Sequence, residues 1–422
     1  MDSLLTIVKF VTDSLGPMII MPLFLVILGL VFKMPLNKAL KSGLLVGIGF
    51  KGIGLVTSLL MTSVTPAINA MADKVGVSFN IIDMGFQTVG SAAWATPIAA
   101  LIIPIAILVN MIMLTFKLTK TLNIDIWNMF HFILAGGLAY LVSGSVLVGV
   151  IIAVIYCIIT LLIADWDSKR WQDYFGLEGT TCSTLATMPN IFNVILVNKV
   201  IDLIPGVRDF DINPSKAKRL SGIGDPMLLG LIIGIILGAI GGLSIDKILN
   251  TGVGIAAAMV ILPRMVGLLM EGLAPISKQA FAFMKERYKD REIYIGMDVA
   301  LGLGDPVVIA CAALSIPIFL GVAVMLPGNG WLPIITLSCL PYWCVHAVAY
   351  SKGNLFRALI SMAAFAVIQC YTITAIAPLV TSLVAWAGIA LPEGTTLIAG
   401  GVPEHYFLLI IKPILNLLGF GA

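Results

Sequence analysis

Carboxylate and hydroxyl side chains follow one another closely at one point of a chain that is otherwise poor in polar residues. Glu178 precedes the run Gly-Thr-Thr-Cys-Ser-Thr at 179–184, which contains Thr181 and Ser183. Such a set supplies donors and acceptors for a desolvated polyol, because every buried hydroxyl group must be paired. The same residues also suit an ordinary helix start, where Ser and Thr side chains cap backbone N–H groups. We take Glu178, Thr181 and Ser183 as candidate substrate-binding residues.

Two aspartates bracket a glycine-rich segment further along the chain. Asp298 and Asp305 lie on either side of the sequence Val-Ala-Leu-Gly-Leu-Gly, and Pro306 follows Asp305. An ionisable side chain within an apolar run is costly to bury, which makes each aspartate a candidate for substrate binding. Asp before Pro is also a usual helix start, with Asp as the N-cap. Both interpretations of Asp305 stay open.

Further polar candidates lie beside tryptophan and glycine residues. Asn128 and His131 follow the sequence Asp-Ile-Trp at 125–127, and Gln87 lies within the glycine- and serine-containing stretch 85–91. We include all three among the candidate substrate-binding residues. The two other histidines stand alone in the sequence, and three separated histidines do not predict a metal site.

The composition requires a membrane environment for these residues. Of 422 residues, 59% are hydrophobic and 11% are charged, and the mean hydropathy is +1.06. Soluble domains carry roughly 25% charged residues, so this chain cannot cover itself with a water-soluble surface. Its apolar runs exceed the roughly ten alternating residues of a barrel strand, which predicts an all-α polytopic membrane protein. A net charge of +3, spread over loops, indicates no nucleic-acid partner.

Hydropathy predicts roughly ten to twelve transmembrane helices within a single membrane-embedded domain, 1–422. Apolar segments of spanning length lie at 16–33, 42–62, 96–116, 129–163, 183–204, 227–247, 249–273, 300–326, 331–350, 355–390 and 395–419. Glycine, proline or serine interrupts several runs, as at 143–145 and 85–91. Unwound backbone in a membrane must be buried in protein or line a wet cavity, so we expect broken helices or re-entrant hairpins there.

Basic residues indicate which loops face the cytoplasm. They cluster in the polar segments 208–219 and 278–292, and at Lys33, Lys38 and Lys41. The positive-inside tendency predicts that these segments are cytoplasmic and would meet any soluble partner.

A near-repeat also indicates two related halves, at about 1–205 and 220–422. The sequence Gly-Ile-Gly-Asp-Pro at 222–226 resembles Gly-Leu-Gly-Asp-Pro at 302–306, and both open apolar runs. Chance similarity in a glycine-rich protein is the alternative.

No catalytic motif or cofactor site is predicted. The six cysteines lie mostly within apolar runs, without the paired spacing of metal or redox sites. The sequence has no phosphate-binding P-loop, no nucleophile elbow and no zinc-binding HExxH helix. We therefore expect no metal, no other cofactor and no catalytic residue, and energy for uphill transport would come from an ion gradient or another polypeptide.

Ten short motifs follow one another from the first spans to near residue 360. They are Gly-Ile-Gly-Phe-Lys-Gly-Ile-Gly-Leu-Val at 47–56, Trp-Ala at 94–95, Ile-Ile-Pro-Ile-Ala-Ile-Leu-Val-Asn at 102–110, Asp-Ile-Trp-Asn at 125–128, Leu-Glu-Gly at 177–179, Ile-Pro-Gly-Val at 204–207, Pro-Arg at 263–264, Pro-Ile-Ser-Lys-Gln-Ala at 275–280, Leu-Pro-Gly-Asn at 326–329 and Gly-Asn-Leu-Phe-Arg at 353–357. Together they resemble the IIC permease subunit of galactitol-type phosphotransferase systems. Trp94, in the second motif, joins the candidate substrate-binding residues.

The resemblance implies a homodimeric permease of the ascorbate-galactitol superfamily in the bacterial inner membrane. Inverted repeats would form a transport domain that moves in an elevator-like manner past a dimerising core domain. A phosphocysteine on a separate IIB subunit, recharged by a separate IIA subunit, would phosphorylate the substrate at the cytoplasmic face. Galactitol is the default substrate, and another polyol, a pentose or a hexose stays open. The family pattern would place Pro-His-Gly soon after Glu178 and a histidine near Asp305, so substrate contacts differ here.

Two other classes of protein compete with this interpretation. An ion-coupled secondary transporter of a small polar organic solute would use Asp305, Asp225 or Lys51 to couple a proton or cation, and would need no IIB subunit. Lys51 is also explained by snorkelling of its ammonium group to the membrane interface. An intramembrane enzyme would need a convergent acid–base or metal constellation, which the spacing does not provide.

Overall fold

The computed structural model describes residues 17–75, 79–96, 98–123, 125, 129–185, 187–210, 226–287, 292–389, 397–401, 404–417 and 419. The helices are α1 (Pro17–Val31), α2 (Leu36–Val75), α3 (Gly85–Trp94), α4 (Ala99–Thr115), α5 (Phe130–Ser143), α6 (Val146–Phe175), α7 (Met188–Asp202), α8 (Pro226–Gly241), α9 (Ile245–Arg287), α10 (Pro306–Met325), α11 (Leu340–Tyr350), α12 (Leu355–Trp386) and α13 (Glu404–Leu417). Short strands are β1 (Ile81–Asp83), β2 (Thr121–Asn123), β3 (Thr180–Cys182), β4 (Tyr294–Met297) and β5 (Leu397–Ala399), and 3-10 helices lie at Val299–Gly304 and Thr336–Cys339.

Three helices in the described ranges are long and apolar enough to cross a membrane. They are α6, Val307–Met325 of α10, and α12, and the bent pair formed by α3 and α4, with an angle of 89°, would add a fourth. This number covers only the described residues, and several of the other predicted apolar runs form shorter apolar helices there, within α1, α5 and α8. The structure therefore confirms a mainly helical chain with apolar helices of spanning length.

Helices α1, α2, α8 and α9 pack mainly against one another. Small residues allow this close packing: a side chain at Gly272 would collide with the carbonyl group of Ser42, and one at Gly254 with Ser63. Since Ser42 and Ser63 of α2 meet Gly272 and Gly254 of α9 in reverse order, the two long helices run antiparallel.

Five short strands are present beside the helices of the predicted all-α fold. In one sheet β1 pairs in parallel with β5, and Ile81 also forms a bridge with Trp331. In the other, β4 lies between β2 and β3, with all three strands parallel. Each sheet thus joins a segment that precedes residue 202 with one that follows residue 226. Partners so distant in the sequence leave no local pattern from which such three-residue strands could be predicted.

The predicted interruptions have different outcomes. Gly144, with φ of 66°, ends α5, and Ser145 caps α6, so the run 129–163 divides at the predicted point. The stretch 85–91 instead belongs to the continuous helix α3, which begins at Gly85, where φ is 69°. The helices are separate between Trp94, the last residue of α3, and Ala99, the first residue of α4.

The core is centred on α5 and the helices around it. Residues 130–139 of α5 are all buried, and α5 contacts α3, α4, α6, α12 and α13. Gly136 lies so close to Gly149 of α6 that a side chain at either position would collide with the carbonyl group of the other. This packing brings the backbones of α5 and α6 into direct contact.

Candidate functional site

Polar side chains gather where the three parallel strands β2, β3 and β4 end. Ser183, the residue after β3, donates a 3.2 Å hydrogen bond from Oγ to Oδ1 of Asn123, the last residue of β2. Its backbone N–H donates a 3.0 Å bond to the carbonyl group of Met297, the last residue of β4. Asp298 follows and accepts a 2.6 Å hydrogen bond from the N–H of Ala300, which caps the 3-10 helix. The carboxyl ends of the strands therefore form one polar edge.

Neighbouring side chains fix the geometry of this edge. Asn110 of α4 donates a 2.9 Å hydrogen bond to the carbonyl group of Thr121 and accepts a 3.0 Å bond from the N–H of Asn123. Thr184 accepts a 3.0 Å bond at Oγ1 from the N–H of Val299. Because Asn110 and Thr184 use their groups on backbone atoms, they position the edge.

The second sheet ends at a fully buried carboxylate, Asp83. Its Oδ2 accepts hydrogen bonds of 2.7 and 2.8 Å from the N–H groups of Ile334 and Thr336. Its Oδ1 accepts bonds of 2.6 Å from the Thr336 hydroxyl and 3.1 Å from the N–H of Gly85. Burial raises the pKa of Asp83, and these hydrogen bonds act in the opposite direction. With four donors on its two oxygens, Asp83 holds the start of α3 against the segment before α11.

Aromatic side chains connect the ends of the two sheets. Phe86, next to the start of α3, lies edge-on to Tyr342 of α11, with ring centroids 6.0 Å apart, and 6.5 Å from the ring of Phe130. The Asp298 carboxylate interacts electrostatically with the Tyr342 hydroxyl. Hereafter the central site means Phe86, Phe130, Ser183, Asp298 and Tyr342.

Two more of the sequence-predicted residues lie beside the central site or on its helices. The buried ring of His131 packs against Phe130, with centroids 3.8 Å apart, and so contacts the site through that ring. Trp94 ends α3 and is also buried, and its Nε1 has no hydrogen-bond partner within the described ranges. Gln87 follows Phe86 in α3, but its side chain lies outside the described part, as does Asn128 altogether.

Three other predicted residues are not brought to the central site. Glu178 is exposed on the turn between α6 and β3. Thr181 is buried within β3 and donates a hydrogen bond to the carbonyl group of Ala164. Asp305 caps α10, accepting bonds of 2.8 and 3.1 Å from the N–H groups of Val307 and Val308, and also interacts with Tyr174. The capping interpretation thus accounts for the geometry of Asp305.

A buried polar cluster that the sequence did not predict joins α6 to α11. Asp167 accepts a 2.6 Å hydrogen bond from the Tyr350 hydroxyl, and Nε2 of His346 lies 3.5 Å from its other oxygen. The guanidinium of Arg170 stacks on the Tyr350 ring at 3.8 Å. His346 is one of the two histidines that stand alone in the sequence, so no site was predicted there. The spacing of four residues between His346 and Tyr350, one helical turn, was the available signal.

The central site suits a small polyhydroxylated molecule. A carboxylate and a hydroxyl can pair with substrate hydroxyl groups, and aromatic rings can cover the C–H faces of a carbon chain or sugar ring. Of its members, the sequence predicted Ser183 and Asp298, while Phe86, Phe130 and Tyr342 carry no local signal beyond being aromatic.

Comparisons with known proteins all identify permease components. A family profile described as "PTS system sugar-specific permease component" matches residues 10–394. The galactitol-specific EIIC component of the PTS of Escherichia coli (strain K12) is 34% identical over 419 residues, which make up 98% of this chain and 92% of that protein. Its counterpart from Escherichia coli O157:H7 gives the same values. A further protein of the K12 strain, described as a permease IIC component, is 35% identical over 378 residues, 89% of this chain and 86% of its own length.

Proposed function

This chain belongs to the family of sugar-specific permease components of the phosphotransferase system, and on that premise we propose that it carries galactitol, or a related polyol or sugar, across the bacterial cytoplasmic membrane. The observation that carries the proposal is the central site, where Asp298, Ser183 and three aromatic rings lie between the carboxyl ends of two sheets. A neutral solute with many hydroxyl groups matches this combination.

Phosphorylation of the substrate is assigned to separate proteins. In this proposal a IIB subunit, recharged by a IIA subunit, transfers a phosphoryl group to the bound solute at the cytoplasmic face. The chain itself binds and moves the solute, and its site residues act through hydrogen bonding and packing.

The distribution of basic residues supports one orientation of the chain in the membrane. One end of the helices around the sheets, here called the basic face, carries Lys117, Lys120, Lys169, Arg170, Lys199, Arg208, Lys352 and Arg357. Hydrogen bonds connect the elements of this face. The backbone N–H of Lys120 donates to Asp165 of α6, the Tyr350 hydroxyl donates to Asp167, and the Arg357 guanidinium donates to Asp202 of α7. At the opposite end, the connections 143–145, 326–330 and 386–389 contain no lysine or arginine. The positive-inside tendency then places the basic face in the cytoplasm.

The helices form two groups with few contacts between them, which supports an elevator-like movement. The group α1, α2, α8 and α9 touches the remaining helices at few points, near α3 and α4. The remaining helices surround both sheets and the central site. We assign the first group to the fixed, dimerising domain and the second to the transport domain.

The order of elements supports two inverted repeats. A long helix, a strand, a short helix and a second helix occur from α2 to α4, and the same order recurs from α9 to α10, with a 3-10 helix in the short position. The N–H of Tyr294 bonds to the carbonyl of Lys120 at 2.9 Å, and that of Ile81 to Gly330 at 3.0 Å, in equivalent places. Since α2 and α9 run antiparallel, β1 and β4 enter the structure from opposite ends. Pro226 and Pro306 begin non-equivalent helices, so the pentapeptides add no support.

Exposed apolar side chains on the first group fit lipid and a second copy of the chain. Ile27, Leu44, Leu55, Ile232 and Val253 are each more than half exposed. We assign part of this surface to a homodimer contact and the remainder to lipid.

An ion-coupled transporter is the second candidate function. It is not favoured, because the family to which the chain belongs works with phosphotransferase partners. Asp305, one of the residues that would couple a proton or cation, uses its Oδ1 to cap α10.

Uptake by cells tests the proposed function. Cells that express this chain would receive radiolabelled galactitol and a panel of polyols, pentoses and hexoses, with and without the cognate IIA and IIB subunits. We expect phosphate ester to accumulate only with both partners, and the preferred solute to name the substrate. Uptake of unmodified solute without partners, abolished by a protonophore, would instead establish ion coupling.

A further inference from the structure

The middle of α12 carries a polar side chain whose hydrogen-bonding groups are unused within the described part of the chain. Gln369 stands halfway along this helix and is 0% exposed. Neither its Oε1 nor its Nε2 has a hydrogen-bond partner among the described residues. An unpaired amide buried in a membrane-spanning helix destabilises the folded protein. Such an unpaired amide is a candidate ligand-binding group.

Tyr406 of α13 lies against the same face of α12. Phe365, Gln369 and Thr372 follow one another at spacings of four and three residues, which places them on one side of the helix. The Tyr406 ring lies 6.3 Å from the ring of Phe365, and its hydroxyl approaches Thr372. The phenol therefore extends past the level of Gln369. Its buried hydroxyl makes no hydrogen bond of acceptable geometry within the described ranges.

These groups are uncharged and can both donate and accept hydrogen bonds. The amide of Gln369 and the hydroxyl of Tyr406 each supply a donor and an acceptor. The Thr372 hydroxyl donates a hydrogen bond to the carbonyl group of Ile368, at 2.8 Å, and keeps an acceptor position. Such a set pairs with hydroxyl groups. It offers no positive charge for a carboxylate or phosphate.

The position of α13 relates this set to the central site. The chain leaves β5 at Gly400 and reaches α13 shortly afterwards, and the N–H of Gly401 bonds to the Thr336 hydroxyl at 3.2 Å. That hydroxyl also binds Asp83, at the carboxyl end of β1. The connection to Tyr406 thus starts from the sheet end at which Phe86 enters the central site.

We propose that Gln369, Thr372 and Tyr406 form a second subsite for hydroxyl groups of the transported polyol, and this inference rests on the proposed function. The subsite is closed in the present conformation, because Gln369 has no exposed surface. Substrate reaches it when α13 separates from α12. The amide and the phenol then find the partners that the closed conformation does not provide.

Binding of galactitol to matched variants tests the subsite. The variants are Gln369→Met and Tyr406→Phe, which remove hydrogen-bonding groups with little change of volume. Thr160→Val is the control, since Thr160 is buried in α6 and its hydroxyl already bonds to the carbonyl group of Tyr156. For the purified full chain, we expect each test variant to raise the Kd for galactitol about tenfold and the control to leave it within about twofold. Melting temperatures without ligand report on folding.

A set of deoxygalactitols identifies the contact. If the Tyr406 hydroxyl binds one substrate hydroxyl, removing either one weakens binding by the same factor, and removing both adds little. Unchanged Kd values in both test variants, with a higher melting temperature, would show that the three residues only pack or hold a structural water, and would overturn the inference. If the wild-type chain binds no polyol or sugar of the panel, the proposed function falls and this inference with it.

Discussion

The hydroxyl of Tyr350 donates a 2.6 Å hydrogen bond to a carboxylate oxygen of Asp167, and this bond joins α11 to the long helix α6. His346, one turn earlier on α11, faces the other oxygen of the same carboxylate at 3.5 Å. A carboxylate that is 1% exposed thus receives both of these partners from one helix. Since α11 also contributes Tyr342 to the central site, this anchor fixes the position of a site residue.

Removing the Tyr350 hydroxyl should weaken the anchor. The variant Tyr350→Phe leaves the Asp167 charge with one donor fewer, and a hydrogen bond to a charged group contributes about 1.5–3 kcal/mol. We expect a lower melting temperature of the detergent-solubilised protein. Tyr371→Phe is the control, because Tyr371 is 46% exposed on α12. Equal melting temperatures for the two variants would show that the bond contributes nothing measurable.

Substitution of the three acidic candidates should separate the central site from its surroundings. In Asp298→Asn the new side chain can still cap the 3-10 helix, so the fold is kept while the charge near Tyr342 is lost. We expect substrate phosphorylation by the complete system to fall about tenfold or more at low substrate concentration. Asp305→Asn keeps a good cap on α10, and Glu178→Gln changes an exposed side chain, so both should transport nearly as the wild type does. Loss of transport in Glu178→Gln alone would show that the substrate-binding site lies at the α6–β3 turn.

The exposed pair Lys120 and Glu292 should stabilise the chain over a broad pH range. Their 2.7 Å hydrogen bond is the main cause that lowers the pKa of Glu292 and raises that of Lys120. The Glu292 contribution is present above the unfolded pKa of glutamate, about 4.3, and is lost as pH falls through the lowered folded value. The Lys120 contribution is present below the unfolded pKa of lysine, about 10.4, and is lost as pH rises through the raised value.

The variant Glu292→Gln therefore should differ from the wild type by a constant small amount in melting temperature between about pH 6 and pH 8. Added salt should reduce the difference, because both side chains are exposed and their attraction is screened. Thermal unfolding in detergent at several pH values measures it. A difference that changes steadily within this range would assign the effect to another titrating group.

Cysteine labelling should reveal the orientation of the basic face. The six native cysteines are buried, so an introduced thiol is read against a low background. Pro327→Cys lies in the connection 326–330 after α10, which contains no lysine or arginine, and Lys169→Cys lies on the basic face; both positions are exposed. A membrane-impermeant maleimide should label Pro327→Cys in intact cells and Lys169→Cys only after permeabilisation. The reverse pattern would invert the proposed topology.

The sequence was sufficient for the membrane environment, the family and most long helices, because these follow from composition, apolar run length and short motifs. The run 355–390 corresponds closely to α12, for example. The five strands were missed, since their partners lie more than a hundred residues away in the chain. The central site was predicted only in part for the same reason: Ser183 and Asp298 belong to polar stretches, whereas Phe86 and Tyr342 acquire their role through a contact between distant helices.

The pairing of strands across the chain has a consequence for biosynthesis. The strand β4, which lies between β2 and β3, is translated last of the three, and β1 must wait for Trp331 and then β5. Until then the backbone groups of β1, β2 and β3 lack their sheet partners, and lipid offers none. A nascent chain that ends near residue 290 should therefore be held by the insertion machinery or degraded. A premature stop codon in the second half would remove both sheets, including the one whose outer strands come from the first half.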